Sequence, residues 1–96
     1  MVTVVWETWL NPGAEAEGLR LTRRIWSDMT GFEGLVSYRI LIDQDAPVHL
    51  LVVSEWQSRE HADRTLAQYA GAETVRDLTP LLARPRGRWV LSEATQ

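Results

Sequence analysis

The chain has 96 residues, 45% of them hydrophobic, and a formal charge of −3 from thirteen acidic residues against ten basic ones, all arginine. That size suits one domain spanning 1–96, and the hydrophobic content excludes a disordered chain. With no cysteine, disulfides, thiolate catalysis and cysteine-ligated zinc or iron–sulfur clusters are excluded, and arginines scattered along an acidic chain predict no nucleic-acid partner.

The opening "MVTVVWETWLNPG" shows no basic leader followed by an apolar stretch. No apolar run approaches the roughly 20 residues of a membrane span. The expectation is a soluble, cytoplasmic protein with no membrane partner. "VTVVWETWL" (2–10) is rich in β-branched and aromatic residues and reads as a strand. In "NPG", Asn11 is a candidate helix cap and Pro12 suits a first helical position. From Ala14 to Met29 the small and apolar positions Gly18, Leu21 and Ile25 recur at three- and four-residue steps, and Trp26 widens the stripe. This predicts an amphipathic helix that ends near Gly31, where a left-handed backbone is expected.

"LVSYRILI" (35–42) and "VHLLVVSEW" (48–56) read as a hairpin around the turn "DQDAP". Ser58 caps a second helix reaching about Tyr69, with Ala62, Leu66 and Tyr69 on one side. "AETVRDLTPLLA" predicts a third, short helix with Val75, Leu78 and Leu82 inward, bent or stopped at Pro80. "GRWVLSEA" (87–94) predicts the last strand. The order is a split βαββαβ, an α+β ferredoxin-like arrangement with helices on one face of an antiparallel sheet.

Strands with one wet face should alternate apolar and polar residues. Here Leu50 and Val52 point one way and Leu51 and Val53 the other, while Val4 and Trp6 oppose Val5 and Trp9. Helices cover one face only. A second copy of the sheet is the simplest cover for the other, so a homodimer packed sheet on sheet and burying roughly 1,200 Å² or more is expected.

"NPG" after the first strand, "GFEGLVSYRILID", "SEWQSREHADRTL" and "LTPLLARP" together resemble the antibiotic biosynthesis monooxygenase family along essentially the whole chain. The resemblance implies a dimeric α+β barrel with a pocket between sheet and helices in each subunit. It also implies metal-free and flavin-free oxidation of aromatic polyketide phenols, anthrones or hydroquinones to quinones. Matching segments put Trp6, Thr65 and Val75 where the heme-degrading branch carries asparagine, tryptophan and histidine, so that chemistry is not expected. Thr65 also replaces a histidine that many members carry on the second helix.

The candidate catalytic residues are Tyr38, His49 and Glu55. Glu55, ending a buried strand, is a candidate base because burial disfavours the charged carboxylate; otherwise it anchors the strand by pairing with an arginine or helix amides. His49, near the hairpin, is a candidate general base or an interface residue. His61, in the first turn of the second helix, is expected to face solvent. Tyr38 and Arg39 point to opposite faces of one strand. The Tyr38 phenol is a candidate donor to a substrate phenolate, and Arg39 a candidate inter-subunit ion-pair partner.

The family match turns Trp6 toward the helices, as the wall of an aromatic-binding cavity or as its plug. Trp26, Trp56, Thr65 and Tyr69 are expected to complete a substrate-binding enclosure. A hollow near or above roughly 300 Å³ favours an enzyme, and one filled by Trp6 and Trp26 favours an accessory binding protein. A polyketide cyclase is a third reading. Neither histidine falls in a metal-ligand spacing, and no dinucleotide, phosphate-loop or nucleophile-elbow motif is present, so neither metal nor cofactor is expected.

Overall fold

The computed structural model describes residues 1–94; Thr95 and Gln96, which the single-domain expectation takes in, lie outside the described residues. The elements are β1 (Val2–Trp9), α1 (Glu15–Met29), β2 (Leu35–Ile42), β3 (His49–Trp56), α2 (Arg59–Tyr69), α3 (Glu73–Leu78) and β4 (Gly87–Leu91). The four strands form one sheet in the order β2-β3-β1-β4 with every pairing antiparallel, which is the ferredoxin-like α+β arrangement.

Register decides which side chains meet the helices. Trp6 lies opposite Val52 on β3 and Arg88 on β4, and Tyr38 and Val4 both lie opposite Ser54. Period-two alternation therefore places Val4, Trp6, Thr8, Tyr38, Val52 and Arg88 on the helix side. Helix α1 answers with Gly18, Leu21, Thr22, Ile25 and Trp26, all buried, and α2 with Ala62 and Thr65. Val4, Leu10, Leu50 and Leu78 are essentially withdrawn from water. Burying each such side chain contributes about 1.5–3 kcal/mol. At Gly18 an added Cβ would lie 2.5 Å from Leu10, so the missing side chain is what lets α1 sit on the sheet.

Several local expectations need correction. Asn11 does not cap α1: Ala14 occupies the cap position without a side-chain bond, and Asn11 Nδ2 donates instead to the Pro80 carbonyl at 3.4 Å. The left-handed glycines are Gly13 (φ 88°) and Gly34 (φ 93°), not Gly31, because α1 simply runs out at Thr30 and the reversal into β2 occurs later. An added Cβ at Gly34 would overlap the His61 side chain. His61 is accordingly tucked against that turn, not solvent-facing, with Nδ1 2.7 Å from Ser58 Oγ. Strand β4 ends at Leu91, short of 94, its ladder with β1 stopping at the pair Thr3 and Leu91.

Ser58 does cap α2, its Oγ accepting from the His61 amide at 3.2 Å. Helix α3 passes at Pro80 into a short 3₁₀ turn, Thr79–Leu81. The face away from the helices carries Val5, Leu51 and Val53 with Leu41, Trp89 and Leu91, the last three 39%, 47% and 46% exposed.

Candidate functional site

Between the sheet and its helices lies a cavity bounded by β1, β3, α1, α2, α3 and the segment leading into β4. Three indoles and a phenol form its walls: Trp6, Trp26, Trp56 and Tyr69. Trp56 is held in place by a relay across the sheet. Its Nε1 donates to Ser54 Oγ at 3.0 Å, and Ser54 Oγ donates to the Val4 carbonyl at 3.0 Å. Ser54 is wholly buried and Trp56 only 2% exposed, so the end of β3 is a fixed corner.

Thr8, Thr22 and Thr65 add buried hydroxyls. The Thr22 hydroxyl is used internally, donating to the Gly18 carbonyl at 2.7 Å. Tyr69 donates to Asp28 Oδ2 at 2.8 Å and lies 2.9 Å from Thr74 Oγ1. Burial, before any other cause, raises its pKa, so the phenol stays protonated near neutral pH.

The remaining ionisable lining is cationic. Arg86 and Arg88 both border the cavity, with their guanidinium carbons 5.0 and 5.5 Å from the Trp6 ring. Arg88 Nη2 donates to Asp63 Oδ1 at 2.9 Å, and this bond holds Asp63 below the usual carboxylate range. Arg88 Nε, in contrast, is buried and has no partner among the described residues. For Arg86, burial lowers the pKa and no carboxylate offsets it. Among the described residues no carboxylate or imidazole lines the cavity.

Every expected substrate-binding residue, Trp6, Trp26, Trp56, Thr65 and Tyr69, lines this one cavity. The three expected catalytic residues do not. Tyr38 faces the helices but packs behind Trp26, ring centroids 5.6 Å apart, and borders a surface depression with Thr30 and Leu35 instead. Glu55 and His49 lie one residue out of phase with the cavity-facing positions of β3 and so open on the other face. There Thr3 Oγ1 donates to both Glu55 carboxylate oxygens, at 3.0 and 2.9 Å; among the described residues neither an arginine nor a helix amide is its partner.

His49 is held at both ring nitrogens, Nδ1 2.8 Å from Asp43 and Nε2 2.7 Å from Glu7, and its ring stacks on Trp9 at 3.9 Å. Asp43 first, and Glu7 after it, raise the His49 pKa against an opposing desolvation effect. The arginines were not anticipated from the sequence. The alternation Arg88, Trp89, Val90 was the available signal, since it places Arg88 on the face of Val90 and opposite Trp6.

The hollow itself is about 100 Å³. That is a third of the roughly 300 Å³ expected of an enzyme pocket. It is nevertheless not plugged, because Trp6 and Trp26 stand as walls. Among the described residues no cluster of acidic residues or histidines could hold a metal ion, and no helix is long and apolar enough to cross a membrane.

A split βαββαβ domain with an aromatic-walled hollow between sheet and helices is a small α+β module of the ferredoxin-like kind. The sequence profile of antibiotic biosynthesis monooxygenases matches residues 1–70, and the chain belongs to that family. Family membership supports monooxygenase-type chemistry at that coarse level. No curated protein matches the chain. Among solved structures, one described as an antibiotic biosynthesis monooxygenase superposes with a TM-score of 0.88 at 19% identity, covering 99% of this chain and 100% of that one. SnoaB, a cofactor-independent oxygenase from Streptomyces nogalater, superposes at 0.79 with 22% identity over 97% of this chain and 94% of its own. Rv0793 from Mycobacterium tuberculosis does so at 0.79 with 20% identity, covering 99% and 96%. At these identities the likeness establishes the fold.

Proposed function

We propose that the protein is a cofactor-independent monooxygenase that oxidises an aromatic phenol, anthrone or hydroquinone to a quinone with dioxygen. The observation that carries this reading is the cavity, an aromatic slot with a cationic edge, in a chain of the monooxygenase family. In the proposed reaction the substrate loses two hydrogens and gains one oxygen atom, and the other oxygen of dioxygen leaves with those hydrogens as water. An electron-rich phenolate starts such a reaction more readily than a phenol. Arg86 and Arg88, and not Tyr38, which does not line the cavity, favour the phenolate by electrostatics. Trp6, Trp26 and Trp56 orient the ring and keep water off it. The related SnoaB is described as a cofactor-independent oxygenase, which supports the same chemistry here.

The modest hollow favours a second reading, a non-catalytic small-molecule-binding protein of the same fold. A cyclase has less support, since among the described residues the cavity offers no carboxylate or imidazole for acid–base work. We also propose a homodimer through the open sheet face, supported by the apolar exposure of Leu41, Trp89 and Leu91. Incubation of the purified protein under oxygen with anthrone and with methylhydroquinone tests the enzymatic reading. Quinone formation and oxygen uptake above the spontaneous rate with at least one of the two compounds are expected. Equality with the spontaneous rate for both compounds retires the oxygenase and leaves the binding protein.

A further inference from the structure

The chain is acidic overall, yet the ionisable lining of its cavity consists of two guanidinium groups and a protonated tyrosine. A cation taken partly out of water needs a counter-charge, because desolvation otherwise costs more than the fold recovers. Arg88 has such a partner on one side, Asp63, but its buried Nε is left unused. Arg86 has no carboxylate partner among the described residues, and burial alone lowers its pKa. The Trp6 face beneath both arginines offsets part of this deficit, about 0.5–2 kcal/mol per cation–π contact, but the ring cannot accept a hydrogen bond from Nε in the guanidinium plane. An anion beside Arg86 and Arg88 satisfies both groups.

The walls and the volume restrict what carries that anion. Flat indole faces favour an aromatic body over a branched aliphatic one. A cavity of about 150 Å³ is known to accept benzene. The hollow here, about 100 Å³, admits one ring with slight movement of a flexible lining side chain such as Met29, and it excludes three fused rings.

We infer that the cavity is a binding site for a single-ring aromatic anion, a carboxylate or phenolate, whose charge sits at Arg86 and Arg88 and whose ring lies against Trp6. This rests on the proposed function for its location and narrows the substrate class from fused polycycles to one ring. The electron-rich compound oxidised is then a phenol or hydroquinone that is itself anionic or bears an acidic substituent.

Calorimetric titration with benzoate, its neutral isostere benzamide, 9-anthracenecarboxylate and inorganic phosphate tests the inference on the wild-type chain. Benzoate is expected to bind about tenfold or more tighter than benzamide, the usual effect of one charge-assisted contact. It should exceed 9-anthracenecarboxylate and phosphate by a similar factor. Arg86→Gln should bring the affinity for benzoate down to about that for benzamide, with an unchanged circular dichroism spectrum and Tm as the control for folding. Arg86→Lys should restore part of the preference.

Equal binding of benzoate and benzamide overturns the anion assignment. Equal binding of phosphate overturns the aromatic part, and tight binding of 9-anthracenecarboxylate overturns the size limit. These outcomes are separate from turnover: benzoate selectivity without quinone formation retires only the oxygenase, and quinone formation from a neutral phenol without benzoate selectivity retires only the anion site.

Discussion

Replacing Ser54 with alanine removes one oxygen atom from the centre of the sheet, and its consequence is set by two bonds. Ser54 Oγ receives the Trp56 Nε1 proton at 3.0 Å and passes its own to the Val4 carbonyl at 3.0 Å. Ser54 is 0% and Trp56 2% exposed, so water cannot replace the lost oxygen. Leaving a buried indole N–H without an acceptor costs about 1–3 kcal/mol. Near the middle of that range, about 2 kcal/mol, a domain of this size should lose about 8–16 °C in Tm. Thermal unfolding followed by circular dichroism measures the loss. A double-mutant cycle with Trp56→Phe isolates the bond from the smaller volume of phenylalanine, and a coupling of about 1 kcal/mol or more is expected. If Ser54→Ala stays within about 0.5 kcal/mol of wild type, or the cycle shows no coupling, the relay does not fix the Trp56 corner of the cavity.

Two further outcomes concern the opposite face. His49 binds a proton more tightly in the folded chain than when unfolded, because Asp43 and then Glu7 hold its ring. The folded state therefore carries the extra proton, and the stability His49 contributes is complete below about pH 6.5, its ordinary value, and is lost as pH rises through its raised folded pKa. Urea unfolding across this window should show wild type losing stability that His49→Gln does not; parallel profiles would refute the assignment. Sedimentation should give a species of twice the 11.0 kDa chain mass at micromolar concentration, and Leu41→Glu with Leu91→Glu should return it to a single chain. A wild-type chain sedimenting at 11.0 kDa refutes the dimer.

Much of the fold was legible because short-range rules govern it. The three-and-four spacing of Gly18, Leu21 and Ile25 marked α1, Ser58 marked the start of α2, and Pro80 marked the end of α3. The termini that failed depend on neighbours remote in sequence. Asn11 turns from the helix end to a carbonyl of the α3 side, and β4 stops where its ladder with β1 ends, at Leu91 opposite Thr3. The aromatic lining of the cavity was anticipated through the family resemblance, which turned Trp6 toward the helices and grouped it with Trp26, Trp56, Thr65 and Tyr69, all of which line the hollow.

The charges were not. His49 and Glu55 are chemically plausible acids or bases, but a two-residue period sends them to the face opposite the cavity. Alone, then, the residue order determines the element sequence, the inward stripe of each helix, the two apolar faces of the sheet and the family to which the chain belongs. Tertiary structure decided which charged groups meet the hollow, how large that hollow is, and that His49 lies between Glu7 and Asp43. The reason is physical: local backbone preference and side-chain periodicity are properties of neighbouring residues, whereas electrostatic partners and cavity volume arise only when segments as distant as β1 and β4 are brought side by side.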